Sequence, residues 1–242
     1  MTTASSITPS ARHQHDMLLG IVRRAIQIAV ALLVQAALLF LGSGHFVWVW
    51  AWVLLGISLI SIAVNSAFML HSSLETIAER GSATLTHTWD KLLSLCWAVF
   101  QYLALPLTAA LDLRFGWTAG MSLALHLVGA LLYAIGLALF GWAMITNAYF
   151  STAVRIQSER GHTVCRSGPY RIVRHPGYSG VLLQSLGMPL LLGSWWALIP
   201  GLLAAASINA RTAFEDRTLQ LELPGYTEFT SDVHYRLIPG VW

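Results

Sequence analysis

Five stretches of the chain carry no Asp, Glu, Lys or Arg: residues 25–42, 46–70, 92–111, 115–150 and 176–210. A membrane helix needs about 20 predominantly apolar residues, so each run is long enough to cross a bilayer. The last run is too long for one crossing at about 1.5 Å of rise per residue. Pro189, Gly193, Pro200 and Gly201 interrupt it. It reads as a hairpin turning at residues 193–194, which brings the expected total to six crossings. Residues 1–20 are polar, with Ser, Thr and His, and read as a disordered cytosolic tail. Residues 21–146 read as N-terminal transmembrane helices. Residues 147–242 read as a core that holds the hairpin and a polar C-terminal segment.

Composition narrows the class. Hydrophobic residues make up 56% of the 242 positions, charged residues 10%, and the mean hydropathy is +0.63. Soluble domains carry roughly 25% charged residues. The fold class is therefore an all-α integral membrane protein, with no stretch left for a separate soluble domain. Two cysteines, Cys96 in an apolar run and Cys165 in a polar segment, make no disulfide framework. The histidines show no metal-ligand spacing, so no metal is expected.

Charge gives an orientation. With six crossings, Arg12, Arg23, Arg24, Arg80, Lys91, Arg155, Arg160, Arg166, Arg171, Arg174, Arg211, Arg217 and Arg236 fall on one side, and Arg114 alone on the other. Basic residues mark the cytoplasmic side. Both termini are expected there, with residues 42–45, 112–116 and 193–194 outside. The net charge of +3 reflects this bias and is no nucleic-acid footprint.

One cytosolic stretch asks for more than topology. GPYRIVRHPGY, residues 168–178, sets Arg171, Arg174 and His175 among two prolines and two tyrosines. Juxtamembrane arginines that only fix orientation need no such stiffness. Pro176 is placed to open a helix. Downstream, Arg211 and Glu215 stand four apart and share a helix face. On spacing alone they are an ordinary surface pair worth a few tenths of a kcal/mol. The hairpin, however, returns that helix to the end where GPYRIVRHPGY enters. His162, Tyr170, His175, Arg211 and Glu215 are thus expected to line one cavity at the cytosolic bilayer surface, where ionisable groups are functional candidates. His126 and Asn65 read as hydrogen-bond partners between helices. The Trp-rich VWVWAW at 47–52 reads as an interfacial belt.

HTVCRSGPYRIVRHPGYSG, then RTAFEDRTL after the hairpin, then PGY and YRLIP, resembles the isoprenylcysteine carboxyl methyltransferase family. More broadly it is similar to membrane methyltransferases that include phospholipid N-methyltransferases. The resemblance covers residues 147–242. It implies an S-adenosyl-L-methionine pocket built from the 155–178 segment and the C-terminal segment. His162, Thr163, Val164 and Cys165 match the family's first cofactor-contacting stretch, Tyr170 the next contact, and His175, Pro176, Gly177 and Tyr178 the following one. Glu215 matches the acid that holds the cofactor's amino-acid part, and Arg211 the arginine that orients substrate and is needed for catalysis. The chain departs from the pattern where Arg155 stands at a cofactor-contacting glutamine, with Gln157 nearby, and where Phe229 replaces a common tyrosine.

The expected reaction is methyl transfer from a sulfonium to a lipophilic acceptor. A carboxylate acceptor needs no base, and a guanidinium such as Arg211 can hold one of its oxygens. An amine or thiol acceptor needs one, and His162 and His175 both remain open for that role. Two alternatives stand beside this reading. Membrane sterol reductases that use NADPH share a YRxIPG-like ending, here residues 235–240. A non-enzymatic membrane protein would use its arginines for topology only. Expected partners are a lipid or lipophilic substrate and membrane lipids.

Overall fold

The computed structural model describes residues 9–72, 77 and 87–242. Helix α1 spans Pro9–Ser43 and α2 Val49–Ser72. Helix α3, Thr88–Ala98, runs through a π turn, Val99–Ala104, into α4, Leu105–Phe115. Helix α5 spans Leu123–Thr146. A loop with two short 3-10 turns leads to α6, Pro176–Leu192, then α7, Leu198–Glu222, and the short α8, Tyr226–Asp232. There is no strand among the described residues.

Four segments are long and apolar enough to cross a membrane: His15–Ser43, Val49–Met69, Thr88–Phe115 and Leu123–Thr146. They coincide with the first four uncharged runs. Their outward faces carry Leu33, Leu41, Ile60, Leu95 and Leu131, all exposed. In water such a surface would be an aggregation site; in lipid it is the solvated face. The fifth run forms a helical hairpin that reverses at Gly193, whose φ of +79° closes α6 without the penalty a side chain would bring.

Helix α1 begins at Pro9, so residues 9–20 are helical and not the disordered tail expected for them. Proline is tolerated at a first helical position, and Met17, Leu18 and Leu19 are good helix formers in the turns that follow. Residues 1–8 lie outside the described residues, as does Arg80 of the charge pattern.

Helix α6 is the central element. It is buried along most of its length and packs on α5, α7 and α2. Its closest partner is α5, and glycines explain why. A Cβ at Gly136 of α5 would fall 2.5 Å from the carbonyl oxygen of Gly180 on α6. One at Gly187 would fall 2.7 Å from the backbone nitrogen of Tyr133. Small residues let membrane helices bring their backbones together, where dispersion supplies the attraction. His126 of α5 donates from Nδ1 to Leu191 O at 2.9 Å, and Trp50 stacks on its ring. The expected interhelical role of His126 thus holds. Asn65 instead bonds within its own helix, to Ser61, and packs against Gly141 of α5. Trp48 is buried and Trp50 faces His126, so only part of the expected Trp belt lies outside.

The π turn has a local cause. Pro106 lacks the N–H that would bond one turn back, and its ring crowds the carbonyl there. The widened turn places Gln101 inside the bundle, where Ser185 Oγ of α6 donates to its Oε1 at 2.7 Å.

The three short connections gather at one end of the bundle. Asp112 accepts from Thr118 N and Oγ1, both at 2.6 Å, and from Ser194 Oγ. Arg114 reaches Gly42 O. The polar loop and the C-terminal segment lie at the opposite end.

Replacing Gly180 by Val would drive a branched side chain into the Gly136 carbonyl. Overpacking a core costs about 1–3 kcal/mol, and more where backbone must move. The variant should lose its cooperative thermal transition in detergent or show it well below wild type. An unchanged midpoint would mean that α5 and α6 need not touch.

Candidate functional site

At the polar end, helices α3, α5, α6 and α7, the 147–175 loop and α8 enclose a cavity of about 400 Å³. Its inner end is apolar, lined by Trp97, Phe140, Val181 and Ile208. Its outer end is polar and aromatic. Of the residues expected at the site, His162, Thr163, Val164, Cys165, Tyr170, His175, Gly177, Tyr178, Arg211 and Glu215 line this cavity. Pro176 does not. It is buried at the first position of α6 and sets where that helix begins.

Arg211 and Glu215 are not the solvated surface pair that their spacing alone suggests. Arg211 is 5% exposed. Its Nε donates to Asp90 Oδ1 at 2.7 Å and its Nη2 to Thr152 O at 2.8 Å. Nη1 makes no hydrogen bond among the described residues. Glu215 is half-buried and accepts from Tyr178 Oη at 2.5 Å. The Arg211 guanidinium lies 5.5 Å from the Tyr178 ring centroid, so arginine, tyrosine and glutamate form one cluster on the cavity wall.

Asp90 went unnoticed in the sequence. It has no exposed surface and also accepts from Val154 N at 2.9 Å and Ser94 Oγ at 3.3 Å. An acid in the first turn of a helix is ordinary on dipole grounds alone, which hid its tie to a residue 121 positions away.

The ties that join Arg174, Asp216 and Arg236 were missed in the same way. Arg174 donates to both Asp216 oxygens, at 2.8 and 3.1 Å, and to Val233 O and His234 O, each at 2.9 Å. Arg236 Nε, Tyr226 Oη and Gln220 Nε2 also donate to Asp216, at 2.8, 3.0 and 2.9 Å. His175 Nε2 lies 3.2 Å from Asp216 Oδ1 and 3.3 Å from Tyr226 Oη. One face of the RHPGY stretch is thus fastened to α7 and the C-terminal segment, while the other looks into the cavity. Backbone bonds extend the seam: Arg174 N to Tyr235 O and His175 N to Arg236 O, both 2.9 Å.

The 147–175 loop supplies the remaining wall. Tyr170 is buried, with its hydroxyl accepting from Asn147. Cys165 Sγ points at Thr146 O. Gln157 is fully buried and holds the loop closed through Tyr149 O, and Arg155 pairs with Glu159 at 2.6 Å. His162 stacks on Tyr149 and accepts at Nδ1 from Gln157 N, so its proton sits on Nε2. Burial, then the guanidinium charges of Arg160 and Arg155, pushes its imidazole down from 6.5 to about 4.

Comparison with known proteins falls on this half of the chain. Residues 127–221 match the isoprenylcysteine carboxyl methyltransferase (ICMT) family. Two proteins of rice, from the indica and japonica subspecies of Oryza sativa, are each described as "Probable protein-S-isoprenylcysteine O-methyltransferase". Each is 36% identical over 66 residues, a stretch covering 27% of this chain and 35% of the relative. The chain thus spans about a third of the length of the curated relatives it matches. The family resemblance read from the motifs is borne out over this segment.

A depressed His162 pKa has a pH signature. Below about 6.5 the unfolded chain takes up a proton that the folded loop refuses until about 4. This site's share of stability is therefore level above that window and declines as pH falls through it. The drop in thermal midpoint from pH 7.5 to pH 4.5, measured in detergent, should be smaller in His162→Asn than in wild type. Equal drops would place the acid sensitivity elsewhere.

Proposed function

We propose that the protein is an S-adenosylmethionine-dependent carboxyl methyltransferase that acts on a lipophilic, prenylcysteine-like acceptor at the cytosolic membrane face. The observation that carries this reading is the buried Arg211, one nitrogen of which makes no hydrogen bond among the described residues, beside Glu215 on the wall of a cavity with an apolar inner end. The rice relatives are described as probable protein-S-isoprenylcysteine O-methyltransferases, and the family-matched segment, residues 127–221, holds both residues.

The residues present fit the cofactor. A cavity of about 400 Å³ falls within the usual range for small-molecule sites. Glu215 offers a carboxylate that, among the described residues, is bonded only by a tyrosine hydroxyl, suited to an ammonium group. Tyr149, Phe150 and Phe229 supply aromatic surface at the outer end. When bound, S-adenosylmethionine supplies an electrophilic methyl on a sulfonium.

The rest is alignment and exclusion of water. Held by Glu215, the cofactor would supply its methyl to an ionised acceptor carboxylate, with the S–CH3 bonding pair left on sulfur, so that a methyl ester and a thioether would result. No proton moves, so no base is required. Arg211 Nη1 can hold the acceptor's second oxygen, and the apolar lining strips water from the nucleophile. His162, neutral at pH 7, and His175, engaged by Asp216, are left as loop and clamp residues.

In the bilayer, α6 and α7 add two short crossings to the four longer ones, which makes six. Both termini and the cavity then face the cytosol, in keeping with the basic-residue bias. A cysteine placed at Arg166 should react with an impermeant maleimide only from the cytosolic side. Labelling from outside would reverse the orientation.

The two cavity residues should separate in their effects. Glu215→Gln removes the charge facing the ammonium. A hydrogen bond to a charged group is worth about 1.5–3 kcal/mol, so S-adenosylhomocysteine affinity, read by titration calorimetry, should fall about ten- to a hundredfold. Arg211→Lys keeps charge but loses the planar fork. Turnover of N-acetyl-S-farnesylcysteine should collapse while affinity for the cofactor product is retained. Equal loss of that affinity in both variants would end this division of roles.

A further inference from the structure

On helix α7, Arg211 and Glu215 stand at the spacing where arginine and glutamate ordinarily pair. Among the described residues they form no ion pair; Arg211 pairs with Asp90. Asp90 has no exposed surface and takes the Nε, while Thr152 O takes Nη2. Among the described residues, Glu215 is left with a single hydrogen bond, from Tyr178 Oη. Two routes compete for one guanidinium, and the carboxylate on α3 has won.

We propose that Asp90 is a positioning residue that holds Arg211 away from Glu215 and so keeps the Glu215 carboxylate available for the cofactor's ammonium. The proposal rests on the S-adenosylmethionine reading given above. It places a functional residue on α3, outside the matched segment 127–221. The same face of α3, at steps of four and seven residues, carries Ser94 and Trp97, which line the cavity. The backbone N–H of Val154 and the Ser94 hydroxyl fix the Asp90 carboxylate, so its orientation does not depend on Arg211 alone.

Without the negative charge on α3, the nearest carboxylate for Arg211 is Glu215 on its own helix. An internal Arg211–Glu215 pair would neutralise the acid that the ammonium needs. Asp90 therefore acts on cofactor binding without touching the cofactor.

The test reads S-adenosylhomocysteine binding by titration calorimetry on the full chain in detergent. Asp90→Asn, which keeps shape and loses charge, should weaken binding by about tenfold, as loss of a charge-assisted contact does. Arg211→Gln should bind near wild type. The double variant Asp90→Asn/Arg211→Gln should recover the affinity that Asp90→Asn loses, because the competing cation is gone. Wild-type affinity in Asp90→Asn overturns the proposal. So does a loss that the double variant fails to recover, which would make Asp90 a packing residue only. If Asp90→Asn yields no folded protein, the double variant is compared with Arg211→Gln. Equal affinities support action through Arg211, and weaker binding in the double variant overturns it. A wild-type protein that binds no S-adenosylhomocysteine overturns the cofactor reading itself and this proposal with it.

Discussion

A carboxylate with no exposed surface, Asp216, organises the polar end of the molecule. It takes hydrogen bonds from Arg174, Arg236, Tyr226 and Gln220 and meets His175. These residues come from three places: the RHPGY stretch, the end of α7 with α8, and the C-terminal segment. A buried charge stripped of its partners costs about 3–5 kcal/mol, so none of the three can leave without exposing the others to that penalty. The clamp decides where α6 starts and which way Tyr178 faces. The cavity inherits its shape from that decision, since Tyr178 meets Glu215 and covers Arg211.

The second ion pair, Arg211 with Asp90, performs a different task. It joins α7 to α3, across the cavity from the Asp216 clamp. Helix α3 also packs through Trp89 on Phe214 of α7. The two aspartates take the buried arginines Arg174 and Arg211, while Glu215 forms no ion pair among the described residues. In an environment that favours neutral pairs, one carboxylate lacking a cation is the position where a cationic ligand is best accommodated.

The membrane helices and the hairpin were legible in the sequence because hydrocarbon imposes a length and excludes charge. Gly193 was legible as a turn for the same reason it occurs there, a left-handed backbone that side chains resist. The RHPGY face, Arg211 and Glu215 were legible through their motif. Asp90 and Asp216 were not. Each has a sufficient local explanation, a first-turn acid or a neighbour of Glu215, and the partner that gives it meaning lies far along the chain. The glycines at 129, 136, 180 and 187 were equally silent. Glycine in an apolar run reads as mere tolerance until a facing backbone is seen at 2.5 Å from its would-be Cβ.

Those glycines bear on the site as much as on the fold. Helix α6 must end at the clamp with Tyr178 aimed at Glu215, and its axial position is set by contact with α5. With backbone against backbone, side chains offer no slack by which α6 could slide. A shift of one residue along α5 would bring a Cβ against Gly180 O or Tyr133 N and is excluded by volume. The register of the glycine contact is therefore transmitted to His175 and Tyr178 at the head of α6. Packing in the apolar part of the bundle thereby fixes the geometry of its polar end.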